Sequence, residues 1–232
     1  MADQALPPFM ALLARLEKVP NAIGRSAGRK LKRRMAPRSL AEFEARLARL
    51  GPSDICLDLG ANIGTISARL AATGALVHAY EPDPETFARL QENTRHLPNV
   101  VLHPKAVGQA DGTVFLRRIK GFSADPSRHS LGSSVVFDDP AQFDDAPVAV
   151  EQVGFRRLLA SFTGRIALIK MDIEGAEFDI LNDIMDGTLP GNFDALYVET
   201  HENAAPARRA EIFRHRASAQ RREHPHIDLF WP

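Results

Sequence analysis

The segment Lys170-Met171-Asp172-Ile173-Glu174-Gly175-Ala176-Glu177 sets a lysine and three acids close behind a strongly apolar run. Side chains alternate along a strand, so Lys170 and Asp172 share one face, and Glu199 and His201 share a face of the next strand. If these strands are neighbours, four polar groups meet at one carboxyl edge. A positioned group there could take the proton from a hydroxyl, a contribution of about 10²–10⁴-fold. His201 is the expected general base or substrate-positioning group, although a lone histidine past a strand is more often a surface residue. Lys170 in an apolar strand needs a carboxylate partner, because an unpaired buried ammonium is costly. Glu199 is the natural partner, with Asp172 or Glu174 as alternatives. Glu174 and Glu177 also suit a purely structural role, since acids in the first turn of a helix complement its dipole. Asp172, Glu174, Glu199 and His201 further make an oxygen-rich set that would suit magnesium or manganese.

A second stretch, Asp58-Leu-Gly60-Ala-Asn62-Ile-Gly64-Thr-Ile66, follows the apolar run Ile55-Cys56-Leu57. Glycines in a turn after a strand let backbone approach a ligand. A dinucleotide fingerprint starting at Gly60 needs glycines where Asn62 and Thr65 stand, and a phosphate loop needs a Gly-Lys-Ser/Thr that is missing. Asp58 would also repel any phosphate in this loop and welcome a cationic ligand end. Glu81 closes the next apolar run, at the spacing where an acid accepts ribose hydroxyls. S-adenosylmethionine combines adenosine with an ammonium and a sulfonium and carries no phosphate. The plainer reading, glycines for packing and solvated acids, fits each feature alone better than it fits their joint spacing. Asp172 would then stand at the boundary between cofactor and substrate.

The elements that must position these groups alternate along the chain from about Gly51. Expected strands are Ile55–Leu59, Ala75–Tyr80, Val100–His103, Val114–Ile119, Val148–Val153, Ile166–Met171, Ala195–Thr200 and Ile227–Trp231. Expected helices are Thr65–Thr73, Pro84–His96, Gly154–Phe162, Ala176–Met185 and Pro206–Gln220. Near-continuous apolar strands spaced by helices indicate an α/β fold with a doubly wound, mostly parallel sheet. Residues 1–50 read as a basic helical extension or arm and 51–232 as the main domain. The chain has 232 residues, 44% of them hydrophobic, with 29 basic and 29 acidic side chains, so no global field argues for a polyanion. The one cysteine, Cys56, excludes an intramolecular disulfide or a cysteine-rich zinc site. No apolar run is long enough to span a bilayer and the N-terminus does not read as a secretory signal, so a cytoplasmic domain is expected.

Charge is uneven locally. Arg25, Arg29, Lys30, Lys32, Arg33, Arg34 and Arg38 form a run without an acid, and Arg208, Arg209, Arg214, Arg216, Arg221 and Arg222 form a second basic segment. Asp138, Asp139, Asp144, Asp145 and Glu151 lie between them. Such runs are usually solvated faces; the functional reading is an anionic partner such as a phosphorylated glycan, a lipid surface or, last, nucleic acid.

Several motifs in order resemble the FkbM-type S-adenosylmethionine-dependent methyltransferases. They are Asp58-Leu-Gly60-Ala-Asn62-Ile-Gly64, Tyr80-Glu81-Pro82-Asp83-Pro84, Asn93, Ala106-Val107-Gly108 with Gly112, Ser130-Leu-Gly132-Ser133-Ser134, Ile169 to Glu177, and Val198-Glu199-Thr200-His201. The segment Lys-x-Asp-x-Glu-Gly-x-Glu is the most specific of them. The resemblance covers residues 51 to 203 and implies a class I methyltransferase, Rossmann-like fold. It implies methyl transfer to a hydroxyl oxygen of a small-molecule or glycan acceptor, with no nucleic-acid partner. Asp58, Gly60, Asn62, Gly64 and Glu81 would hold the cofactor, with Pro82, Ala106 and Asp172 beside them and Lys105 near the adenine. Phe155-Arg156-Arg157 stands where the family tends to open a helix with Leu-Asp, and the segment after His201 is short for a final antiparallel hairpin. The loop at Ser130–Ser134 and the acidic segment after it would suit a lid. Methylation of nitrogen on a peptide or amine, a non-catalytic cofactor-binding protein and a nucleotide-dependent oxidoreductase are the alternatives. A hydroxyl acceptor needs the base that a neutral amine does not.

Overall fold

The computed structural model describes residues 7–19, 21–120, 134–137, 141, 143, 146–189 and 191–232. Residues 130–133 and Asp138, Asp139, Asp144 and Asp145, the bulk of the expected lid, lie outside the described residues. Two helices come first, α1 (Pro8–Leu16) and α2 (Ala22–Leu47), the latter capped by the Asn21 side chain accepting the Ile23 and Gly24 N–H groups. There follow β1 (Ile55–Leu59), α3 (Thr65–Ala71), β2 (Leu76–Tyr80), α4 (Pro84–Thr94) and β3 (Val100–His103). Next come β4 (Ala106–Gly108), β5 (Gly112–Leu116), β6 (Val148–Gly154), α5 (Phe155–Ala160), β7 (Ile166–Met171) and α6 (Glu177–Met185). The chain continues through β8 (Ala195–Val198), a 3₁₀ turn at Pro206–Arg208, α7 (Arg209–Ala219) and β9 (His226–Asp228).

The main sheet runs β3-β2-β1-β7-β8-β9 and every pairing in it is parallel. Strand alternation divides its side chains between two cores. Leu57, Leu59, Ile169, Met171, Leu196 and Val198 face a cluster filled by α5, α6 and α7, through residues such as Phe155, Phe178 and Ile212. Cys56, Val77, Leu168, Ala195 and Tyr197 face the other way, onto α3 and onto Phe43 of α2. Helices on both faces of a parallel sheet make the doubly wound α/β fold expected from the sequence. β4, β6 and β5 form a separate small sheet, with β5 antiparallel to β6.

Besides β5, which is Gly112–Leu116 where Val114–Ile119 was expected, two elements depart from expectation. The last strand is His226–Asp228, shorter and earlier than Ile227–Trp231, and it pairs parallel to β8. Leu229, Phe230 and Trp231 are still buried, but as irregular chain: Phe230 packs among Leu13, Ala27, Leu31 and Met35 of the N-terminal helices, and Trp231 against Phe43 and Tyr197. Burial alone made them look like strand. The second departure is β4, whose three residues are too few to carry a periodic signal.

Candidate active site

The carboxyl edge of β1, β2, β7 and β8 gathers the expected residues. After β1 the backbone turns through Gly60 (φ 75°), Asn62 (φ 49°) and Gly64 (φ 92°), the last preceding the first residue of α3. Gly60 must be glycine for a further reason: a Cβ there would lie 1.8 Å from the Asp172 carbonyl oxygen. The N–H groups of Gly60 and Ala61 both donate to the Tyr80 carbonyl, and Asp172 N–H donates to that of Leu59, so the loops after β1 and β7 are laced together.

Glu81 is buried, with Oε2 accepting the Asn62 N–H at 2.9 Å and Oε1 the Asp83 N–H at 3.0 Å. Burial pushes its carboxyl up to about 7, against the downward pull of those two N–H groups. Asp58 is fully buried and accepts the Ser67 hydroxyl at 2.6 Å. The β1–β7 register sets Asp58 opposite Lys170, whose ammonium lies 3.5 Å from Asp58 and 3.7 Å from Asp172 and donates to the Gly60 carbonyl at 2.7 Å. Burial disfavours the ammonium, but Asp58 and Asp172 outweigh it and hold the Lys170 pKa above the usual value. The Lys170 partner is therefore Asp58 with Asp172, and Glu199 pairs instead with Lys32 of α2 at 3.4 Å. Asp58 accordingly supports the loop from below, its charge answered within the protein, where the sequence had suggested a direct meeting with a cationic ligand.

Glu174 (φ 50°) and Gly175 (φ 104°) form the turn between β7 and α6. A non-glycine residue in this left-handed region costs on the order of 1–3 kcal/mol and is found where function demands it. Glu177, with no exposed side-chain surface, accepts the Gly175 N–H at 2.7 Å through Oε2. Its Oε1 accepts the His201 backbone N–H at 2.9 Å and lies 3.1 Å from the ring Nδ1. This anchored carboxylate aims His201 Nε2 at Glu174 Oε2, 3.2 Å away, and at Asp172 Oδ1, 3.7 Å away. Burial alone would lower the His201 pKa, but the Glu177 hydrogen bond and the charges of Glu177, Glu174 and Asp172 raise it to about 9. A ring held there keeps both protons at neutral pH, which favours the substrate-positioning role expected of His201 over its role as the base. Glu174, raised to about 7 chiefly by burial and partly offset by His201, is poised where proton transfer is easiest.

A pocket opens beside this cluster, lined by Gly60, Tyr80, Pro82, Lys105, Ala106, Val107, Leu116, Val135, Asp172, Ile173 and Glu174. Its lining mixes apolar surface with the two carboxylates, and its lysine is engaged, Lys105 Nζ donating to Glu151 at 2.6 Å. Apolar walls and a close-approach glycine loop fit a flat base and a ribose better than a phosphate group. Ser134 reaches the same edge, its hydroxyl donating to the Glu174 carbonyl at 2.5 Å. The ligand atoms of Asp172, Glu199 and His201 also lie within 4.8 Å of one another, a spacing open to a divalent cation, for which the His201 proton and the Lys32 ammonium compete.

The methyltransferase FkbM domain matches residues 58–230, from the glycine loop through β9. The chain belongs to the FkbM methyltransferase family. The chain is similar to the hexuronic acid methyltransferase AglP of Haloferax volcanii, 27% identical over 170 residues, 66% of this chain and 58% of AglP. The 31-O-demethyl-FK506 methyltransferase FkbM of Streptomyces tacrolimicus is 28% identical over 170 residues, 61% of this chain and 63% of that protein. The 2-O-methyltransferase NoeI of Sinorhizobium fredii is 30% identical over 142 residues, 56% and 57% of the two chains. The chain thus spans less than two thirds of the length of each of these relatives. Among its described residues no helix is long and apolar enough to cross a membrane.

Of the residues singled out in the sequence, Gly60, Pro82, Ala106 and Asp172 line the pocket, Asn62 and Glu81 are joined by a hydrogen bond next to it, and Lys170 and Asp58 lie beneath it. Glu199 and His201 do not line it; their side chains reach within 4.8 Å of Asp172, which does. The roles of Glu177 as orienter and of Lys32 were not legible, because each acts on a residue from another element. One consequence is measurable. Lys170→Met leaves Asp58 buried without its ammonium and is expected to destabilise the fold by about 3–5 kcal/mol in urea unfolding. Lys170→Met combined with Asp58→Asn should recover much of that loss; equal losses in the single and double variants would deny the pairing.

Proposed function

We propose that this FkbM methyltransferase uses S-adenosylmethionine to methylate a hydroxyl of a saccharide or small metabolite. The observation that carries the reading is the meeting, at one carboxyl edge, of a glycine loop suited to a ligand without phosphate and a carboxylate–histidine cluster suited to taking a proton. Glu81, Asn62 and the pocket from Tyr80 to Ala106 would hold the adenosine, and Asp172 would divide cofactor from acceptor. The bound cofactor supplies a methyl on a sulfonium, an already activated leaving group, so the protein contributes chiefly alignment. Glu177 fixes the imidazolium of His201, which in turn holds Glu174 in place by an ion pair. Glu174 then accepts the proton of the acceptor hydroxyl as its oxygen attacks the methyl carbon. The relatives' names support the oxygen-directed reading, since two of them act at O-positions and the third on a hexuronic acid.

Calorimetric titration is expected to show S-adenosylmethionine and S-adenosylhomocysteine binding and no NAD binding; the opposite pattern removes the reading. Labelled methyl from S-adenosylmethionine should then appear on hydroxyl acceptors from a panel of sugars and polyols. Transfer confined to amines would move the acceptor to nitrogen.

A further inference from the structure

The helical hairpin α1–α2 carries two features that the methyl-transfer site does not use. Along α2, Arg25, Arg29, Lys30, Arg33 and Arg34 are all exposed, and among the described residues none of them is ion-paired with an acid. At 100° per residue, Arg25, Arg29 and Arg33 succeed one another at i, i+4 along the side opposite the buried Ala27, Leu31 and Met35. Lys30 and Arg34 stand on another side of α2, one that they share with Ile23 at i, i+7 and i+11, and apolar side chains are left in water here: Ile23 is 62% exposed, and Phe9 and Leu12 of α1 are each 50% exposed. Phe9 adjoins this side of α2, because the Arg34 guanidinium lies 4.8 Å from its ring centroid.

We propose that the α1–α2 hairpin docks on an anionic lipid bilayer, with Lys30, Arg33 and Arg34 of α2 at the headgroups and Phe9, Leu12 and Ile23 entering the acyl boundary. Charge complementarity and apolar side chains at the same surface are the two requirements of interfacial binding. A nucleic acid would satisfy the arginines but leave the apolar side chains in water. A second copy packed about a twofold axis would set this unpaired basic stripe against itself. The docked helix also touches the active edge, since Lys32 of α2 donates to Glu199 and to the Thr200 carbonyl.

The test is co-sedimentation of the full chain with vesicles of phosphatidylcholine alone or with about 30% phosphatidylglycerol, in about 0.1 M salt. It reads binding rather than turnover, so its failure and that of the methyltransferase reading are separate events. Binding is expected only to the anionic vesicles. Each basic side chain brought to such a surface is worth about fivefold, so Lys30→Gln/Arg33→Gln/Arg34→Gln is expected to lose on the order of a hundredfold. Leu12→Ser/Ile23→Ser is expected to lose roughly tenfold. All five positions are exposed, and unchanged thermal unfolding confirms that the variants fold. Equal binding to both vesicle types, no binding, or wild-type binding by both variants would overturn the proposal. So would an oligonucleotide that strips the protein from vesicles and binds Leu12→Ser/Ile23→Ser undiminished. A dimer in light scattering that Leu12→Ser/Ile23→Ser turns into a monomer would assign the surface to a second copy instead.

Discussion

Glu174→Gln is expected to lower kcat for a hydroxyl acceptor by about 10²–10⁴-fold while S-adenosylmethionine binds within a few-fold of wild type. The amide keeps the shape of the side chain and removes the lone pair that would receive the proton. The pH profile gives an independent reading. With Glu174 at about 7, its active, deprotonated form grows as pH rises through that value, so kcat climbs there. His201 holds Glu174 in place while charged, so kcat falls again as pH rises through about 9. The two groups are 3.2 Å apart, and the limbs therefore belong to the pair rather than to either residue. Glu174→Gln should remove the lower limb from the residual rate. A full rate in that variant, or a wild-type profile flat from pH 6 to about 9, would return the proton to another group, with Asp172 the next in reach.

Gly60→Ala is expected to cost more than about 3 kcal/mol of folding stability, at the large end for a single substitution, and to weaken S-adenosylmethionine binding by more than about a hundredfold. The new methyl would meet backbone, the Asp172 carbonyl at 1.8 Å, in a residue whose φ of 75° already disfavours any side chain. Neither neighbour can yield: Asp172 N–H is bonded to Leu59 and Gly60 N–H to Tyr80, so relief requires parting β1 from β7. Gly112→Ala is the control, because a Cβ there meets nothing within 4 Å, and it should stay within about 0.5 kcal/mol of wild type. Urea midpoints and titration calorimetry read both effects. Wild-type values for Gly60→Ala would mean that the two loops separate freely and do not form one floor.

Much of this arrangement was readable before any coordinates, for physical reasons that differ by element. Val100–His103 and Ile166–Met171 were bounded correctly because continuous apolar runs end abruptly at His-Pro and at Asp172. Helix α2 was hidden beyond a general helical expectation, since Gly24, Gly28 and Ser39 interrupt the buried side that Ala27, Leu31, Met35 and Phe43 share. It also runs through Pro37, a residue that normally argues for a break. At the site, residue types were legible and partnerships were not. The choice of Asp58 over Glu199 for Lys170 follows from the β1–β7 register, which no spacing along one strand can supply. The charge on His201 follows from Glu177, a residue assigned to helix chemistry until the fold turned its carboxylate inward.

The burial of Phe230 and Trp231 against α1 and α2 has a consequence for how the molecule is assembled. The apolar sides of the first two helices find their cover in residues about two hundred positions later. A contact of such sequence separation forms late, after the entropy of closing the intervening chain has been met. Until then Leu31 and Met35 lack the cover that Phe230 gives them. Phe230 and Trp231 thus join the two ends of the chain, and the cover they give the N-terminal helices is expected to be among the last contacts to form.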